Sequence, residues 1–306
     1  MSPRGDIEAW LEAHAFLRPL AEVCARVERA ADRVASGGPR LEPPAFDDHR
    51  ADFMAGVPAL QGESTTVDLE PAGAAALALV RELASDPEAG RVGEDARALD
   101  AELRREPEAV RRVAAWLLGD DSLAVSSAGL LRYLGWTAAS RCLAPVVAAF
   151  ERWRMGGEGE NDERWLRRYC PLCGSGPAMA QLVGADPGRK RLLACGCCGS
   201  RWQFKRTGCP FCEADSHKIA VVSVEGESGL RIDYCESCRG YVKTYDGQGK
   251  EGLLLADWTS LHIDLIAQDR GLTRMAASLY AFESGSAGPD AAASGAGRGL
   301  TLPVLQ

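Results

Sequence analysis

Four Cys-x-x-Cys pairs in the C-terminal half constrain this chain more than any other feature: Cys170/Cys173, Cys195/Cys198, Cys209/Cys212 and Cys235/Cys238. Two residues between cysteines form a tight turn that aims both sulfurs at one ion, about 2.3 Å away for zinc, and two such turns complete a tetrahedron. The first and second pairs flank 21 residues and the third and fourth flank 22; the first pair recurs 39 residues on, the second 40. One unit duplicated in tandem accounts for these intervals most simply. Each unit then closes its own site, first pair with second and third with fourth. Cross-bracing, first with third and second with fourth, stays open as an alternative, whereas joining the two middle pairs splits the repeat.

A unit of this length has too little core to fold by apolar burial alone. A bound metal supplies the difference, on the order of 10 to 16 kcal/mol per structural site. Four thiolates suit zinc or iron and leave no open coordination position of the kind hydrolytic zinc needs. Gly174 and Gly199 follow the second cysteine of their turns, where positive φ lets backbone N–H groups aim at the sulfurs. Glu213 and Arg239 hold those places in the second unit, with Gly240 one residue on, so the second site is expected to be the less regular. No Gly-x-Ser-x-Gly, Gly-x-x-x-x-Gly-Lys or His-Glu-x-x-His occurs, and the expectation is a protein that is not an enzyme.

Eleven cysteines in a secreted chain would read as a disulfide framework. Residues 1–20 interrupt their apolar positions with Asp6, Glu8, Glu12 and His14, unlike a secretory signal, and no apolar run approaches the ~20 residues that span a bilayer. The expected location is the cytoplasm, where thiols stay reduced and such pairs bind metal. The net charge of −8 argues against a general nucleic-acid coat.

With 306 residues the chain has room for about two domains. Ile7, Trp10, Leu11, His14 and Leu17 recur at helical spacing, and after Pro19 the pattern resumes with Val23, Val27, Ala30 and Val34. Residues 40–71 show no periodicity and read as a loop. Helices are expected over the alanine-rich 72–84, from Asp86-Pro87, from Glu106-Pro107, and from Ser122 to Phe150, the last as two helices or one kinked near Pro145. Gly156-Gly157-Glu158-Gly159 marks a boundary. Strands are expected at 219–224 and 231–234, and Trp258, Leu261, His262, Leu265 and Ile266 form one helical face. From Ser284 the Gly/Ala/Ser composition predicts disorder.

Other residues attract plainer readings. Cys197 is a bystander between two ligands, and Cys24 and Cys142 are small buried hydrophobes. His14 and His262 lie on apolar faces and read as core histidines; His49 and His217 have no partner pattern. Arg164, Arg167, Arg168, Arg189, Lys190, Arg191, Arg201, Lys205 and Arg206 form a basic cluster, either a docking face or a solvated surface offsetting the negative metal site. Trp202 and Tyr241 are read as shields of the two metal sites.

The run from about Trp165 to Gly271 resembles the formate dehydrogenase accessory protein FdhE family. The resemblance rests on Cys170-Pro-Leu-Cys-Gly-Ser-Gly-Pro177, Cys195-x-x-Cys198 with Trp202, Arg206 before Cys209-x-x-Cys212, Tyr234-Cys-Glu-Ser-Cys238 with Tyr241-Val-Lys243, and a final helix from Asp257 to Asp269. It implies a helical domain followed by two rubredoxin-like modules, which with the patterns above gives an expected α+β, multidomain chain: an all-α N-terminal domain (1–160), two tandem rubredoxin-like or zinc-ribbon-like modules (163–206 and 207–250), a C-terminal helical segment (251–282) and a disordered tail (283–306). It further implies that Cys170, Cys173, Cys195, Cys198, Cys209, Cys212, Cys235 and Cys238 hold iron in two mononuclear sites, with zinc as the alternative. The implied role is a chaperone-like maturation factor that contacts a formate dehydrogenase catalytic subunit. A rubredoxin-like electron carrier and a zinc-ribbon nucleic-acid binder are the rival readings.

Overall fold

Amphipathic periodicity builds the N-terminal half. The computed structural model describes residues 3–37, 41–62, 67–156, 165–185, 187–214, 218–276 and 278–280. Helices α1 (Pro3–Ala13) and α2 (Arg18–Gly37) are joined by a 3-10 turn at Ala15–Leu17, and Pro19 is accommodated in the first turn of α2, where its missing N–H leaves no partner wanting. Next come α3 (Arg50–Ala55), α4 (Glu70–Ser85), α5 (Gly90–Leu103), α6 (Ala109–Leu117) and α7 (Ala128–Met155). Helix α4 is buried along Ala72, Ala76, Leu79, Val80 and Leu83 and is the hub against which α2, α5, α6 and α7 pack.

Several sequence-based boundaries shift. Residues 40–71 are not merely loop: they contain α3 and bury Phe46, Phe53 and Leu60. Phe53 packs on Trp165 with ring centroids 4.8 Å apart and Phe46 on Phe150 at 5.1 Å, contacts across some 100 residues that no local period announces. The expected starts at Asp86, Glu106 and Ser122 move to Gly90, Ala109 and Ala128. At the first of these, the Asp86 carboxylate accepts the Glu88 N–H at 2.9 Å and makes a turn instead of a cap. Helix α7 is one 28-residue helix with Pro145 inside it.

In the second half each repeat forms three strands. The first gives β1 (Pro177–Val183), β2 (Lys190–Cys195) and β3 (Arg201–Phe204); the second gives β4 (Ile219–Ser223), β5 (Leu230–Cys235) and β6 (Gly240–Asp246). Both fuse into a single sheet of order β3-β2-β1-β6-β5-β4, with β7 (Thr273–Arg274) on β6. Strands are antiparallel within each repeat, and the repeats join where β1 runs parallel to β6, Met179 opposite Lys243 and Leu182 opposite Asp246.

One hydrophobic cluster runs from α2, α4 and α7 through Trp165 into Cys170, Cys173, Cys195, Cys198 and Trp202. A second joins Met179, Ile232, Tyr241 and Tyr245 to α8 (Glu251–Leu254) and α9 (Leu261–Asp269), with Ile7 and Trp10 of α1 packed against it. The face of α9 that is buried is Ile263, Asp264 and Ala267, whereas Leu265 of the expected face is exposed. Asp264 is drawn inward by two cations, a charge pattern that apolar periodicity cannot register. The basic Arg164, His217 and the expected disordered tail lie outside the described residues.

Candidate metal centres

In each repeat the first cysteine turn precedes the first strand and the second sits between the other two strands, so antiparallel pairing lays one turn against the other. In the first centre Cys170 Sγ lies 3.5 Å from Cys198 Sγ and Cys173 Sγ 3.5 Å from Cys195 Sγ. In the second, Cys209 to Cys238 and Cys212 to Cys235 are each 3.7 Å. A tetrahedron of ~2.3 Å metal–sulfur bonds has edges of about 3.8 Å, and a disulfide would need about 2.05 Å. Within each set the sulfurs all lie within 4.8 Å of one another. The sets combine the first turn with the second and the third with the fourth; the cross-braced alternative is not formed.

The turns are held by matching backbone bonds. Cys170 N–H donates to Ser175 O at 2.8 Å, Cys195 N–H to Ser200 O at 2.9 Å and Cys209 N–H to Ala214 O at 3.0 Å. Gly174 and Gly199 adopt φ of 80° and 78°. Glu213 and Arg239 take the same left-handed conformation, φ 61° and 60°, and donate to Cys209 O and Cys235 O. The second centre therefore keeps the turn geometry of the first despite lacking the glycines. N–H groups of Cys197, Phe211, Cys212 and Gly240 approach sulfurs at 3.4–3.5 Å, as donors to thiolates do.

Surroundings separate the two centres. All four thiols of the first are buried, and residues 59–61 strap its opening turn: Ala59 N–H donates to Pro171 O, Leu60 N–H to Leu172 O, and Gln61 Nε2 to Cys173 O at 3.1 Å. In the second, Cys212 is exposed and Cys238 half-buried. Packed together in the first centre, the thiols resist losing all their protons. Hydrogen bonds led by Cys170 hold Cys173 well below the ordinary thiol range, while burial pushes Cys170 well above it. Four thiolates at this spacing call for a cation, and the donor set fits a four-coordinate, thiolate-bound metal ion.

The remaining candidates fall as follows. Cys24 and Cys142 are buried, and burial pushes the Cys24 thiol up to about 11. Cys197 is half-buried beside Cys195 and belongs to neither sulfur set. Trp202 is buried in the cluster that holds the first centre and donates through Nε1 to Arg167 O at 2.9 Å. Tyr241 does not shield the second centre: strand alternation turns it to the opposite face of β6 from Gly240 and Val242, and its hydroxyl donates to Asp264 at 2.7 Å. Phe211 takes the place beside the sulfurs.

The basic residues do not form one face either. Arg191 is buried and pairs with buried Asp233 at 3.0 Å, Arg189 pairs with Asp246, and Arg168 donates to Phe211 O at 2.5 Å. His49 is fully buried and bonds Val57 O at 3.1 Å. His14 and His262 converge on Glu227, a residue the sequence did not single out because its partners lie 213 and 35 positions away. Among the described residues no helix is long and apolar enough to cross a membrane.

A helical domain bearing two fused four-cysteine modules on one sheet defines the class: a tandem tetracysteine protein whose two sulfur sets could each hold a metal ion. Its sequence is similar to the protein FdhE homolog of Pseudomonas aeruginosa, 30% identical over 189 residues and 58% of each chain, and to that of Aquifex aeolicus, 33% identical over 120 residues, 37% of this chain and 41% of the relative. Protein FdhE of Escherichia coli is 29% identical over 120 residues, 38% of each. The matches thus span about two fifths to three fifths of the length of these relatives. No family model matches the chain. The crystal structure of the FdhE protein from Pseudomonas aeruginosa shares the fold, with a TM-score of 0.58 at 24% identity over 89% of this chain and 93% of that one. The chain is thus similar to FdhE proteins in sequence over part of its length and to one of them in fold over most of it.

Proposed function

We propose that this chain is a non-catalytic accessory protein of formate dehydrogenase that contacts the catalytic subunit in the cytoplasm while it matures. The eight cysteines of the two centres would hold one ion each, iron in both sites with zinc as the alternative. The observation that carries the reading is the pair of four-cysteine clusters, alike in turn geometry but unequal in exposure. A four-thiolate ion has no vacant position for substrate, so its contribution is to shape the surface around it. The buried centre ties module to helical domain, and the exposed one presents Cys212 and its turn to a partner. Similarity to FdhE proteins supports formate dehydrogenase as the source of that partner.

Co-purification with a formate dehydrogenase catalytic subunit tests this, with binding expected for the intact protein and lost on Cys209→Ala. Failure of the intact protein to retain any such subunit overturns the partner assignment. Elemental analysis of anaerobically purified protein is expected to show two iron ions per chain held by these centres; zinc in their place selects the alternative. The exposure of Cys212 also favours a second reading, electron carriage through the outer centre. That reading requires reversible reduction of the bound ion at a rate matching turnover of a redox partner.

A further inference from the structure

A third cluster of metal-ligating side chains lies away from the cysteines. His14, at the end of α1, and His262, in the first turn of α9, both direct Nε2 at Oε1 of Glu227, at 2.7 and 2.6 Å. Glu227 sits in the turn between β4 and β5, and its side chain is only 5% exposed; those of His14 and His262 are 10% and 15% exposed. Three separate parts of the fold therefore bring an imidazole, a carboxylate and a second imidazole into one buried point.

The hydrogen-bond inventory of this point does not close with neutral rings. His14 Nδ1 lies 2.9 Å from Trp10 O, a carbonyl that can only accept, so Nδ1 carries the hydrogen and the neutral ring turns the Nε2 lone pair on the carboxylate. His262 can donate from Nε2, but among the described residues its buried Nδ1 then has no partner, and neither has the buried Glu227 Oε2. A lone pair facing an anion at 2.7 Å needs a positive charge between them, either a proton or a metal ion. The Trp10 ring, stacked on His14 at 4.0 Å, and the Trp10 Nε1 bond to Thr259 O fix the first imidazole in place. A metal-ligating histidine is oriented in this way, its second nitrogen held by a carbonyl.

We propose that His14, His262 and Glu227 form a third metal site, a two-histidine, one-carboxylate set for a divalent ion of the zinc class. The three ligand atoms lie within 4.8 Å of one another. Accepting an ion with ~2.05 Å bonds requires the two short contacts to open to about 3.3 Å, the edge of the corresponding tetrahedron. The ion would satisfy the His14 lone pair and balance the buried carboxylate. Three protein ligands leave a fourth position for water or an exchangeable donor. This differs in kind from the closed cysteine centres and does not depend on which metal they hold.

The full chain titrated with Zn²⁺ tests the proposal. The sequence holds four histidines, so nitrogen-15 histidine spectra resolve the site directly. Two of the four are expected to shift together as a third equivalent of metal binds, and equilibrium dialysis is expected to give three ions per chain. In Glu227→Gln, which keeps the side chain's shape, and in His262→Ala, the third ion should bind at least about tenfold more weakly, with the cobalt–thiolate charge-transfer bands of Co²⁺-loaded protein unchanged. Saturation at two ions with no histidine signal moved, or a third ion whose affinity neither variant alters, overturns the site.

Discussion

At two positions a residue with a side chain holds a backbone shape that glycine holds in the sister repeat. Glu213 and Arg239 sit at φ near 60°, where L-residues pay roughly 1–2 kcal/mol. Arg239 is partly compensated, since its guanidinium bonds Arg270 O at 2.7 Å and borders Tyr234. Glu213 is exposed and has no such compensation among the described residues. Glu213→Gly is therefore expected to raise the urea midpoint, a gain of up to about 1 kcal/mol. Gly174→Ala is expected to do the opposite, because its Cβ would meet Gln61 Nε2 at 2.6 Å at φ 80°. Equal effects of like sign at the two sites would contradict the equivalence of the turns. The four cysteine pairs were legible because a two-residue interval is local chemistry. Glu227 was illegible because its role depends on partners brought together only by the whole fold.

At the scale of an element, α9 is fastened to β6 by charge. Lys243, 1% exposed, reaches Asp257 at 2.7 Å and Asp264 at 2.9 Å, and Arg274 binds the same two carboxylates at 2.8 and 2.6 Å. Burial alone would raise the Asp257 pKa, but the Lys243 and Arg274 cations outweigh it and hold the carboxyl far below its usual range. A depressed folded pKa contributes stability that is complete above the unfolded value near 3.9 and is lost only as pH falls through the folded one. Lys243→Met removes one of the two cations and is expected to cost roughly 3–5 kcal/mol at neutral pH. It also raises the folded Asp257 pKa toward the unfolded value, so that as pH falls below about 4 the wild type loses the stability this network contributes while the variant has less of it to lose. Urea unfolding from neutral pH through that range measures both; parallel curves would dismiss the clamp. Tyr241 and Lys243, quoted in the sequence as companions of the last cysteine turn, thus serve the helix on the far face of the sheet. Their proximity to Cys238 along the chain hid this, since adjacent strand residues point to opposite sides. The burial of Asp264 misplaced the expected face of α9 for the same reason of charge.

Across the molecule, the first centre lies in the core shared with the helices and the second at its margin. Metal removal should follow that order. Under a strong chelator, pulsed alkylation read by mass spectrometry is expected to label Cys212 first and Cys170 and Cys173 last. Loss of the inner ion should coincide with the near-UV signal of Trp165 and Trp202, which the outer ion leaves in place. Simultaneous labelling of all eight thiols would show that the centres open as one. The helical half was legible as helices, but the strap at residues 59–61 and the aromatic contacts to Trp165 were not, because each joins segments more than 100 residues apart.

The junction between the repeats has an evolutionary corollary. The last strand of one copy docks in parallel on the first strand of the copy before it, so every copy carries both halves of the joint. Strand β4 offers the outer edge that corresponds to the one β1 gives to β6, and among the described residues it has no second neighbour. Such head-to-tail growth has no built-in closure. A gene duplication could lengthen the array without inventing a new interface, and the number of metal centres is set by how many copies the gene encodes.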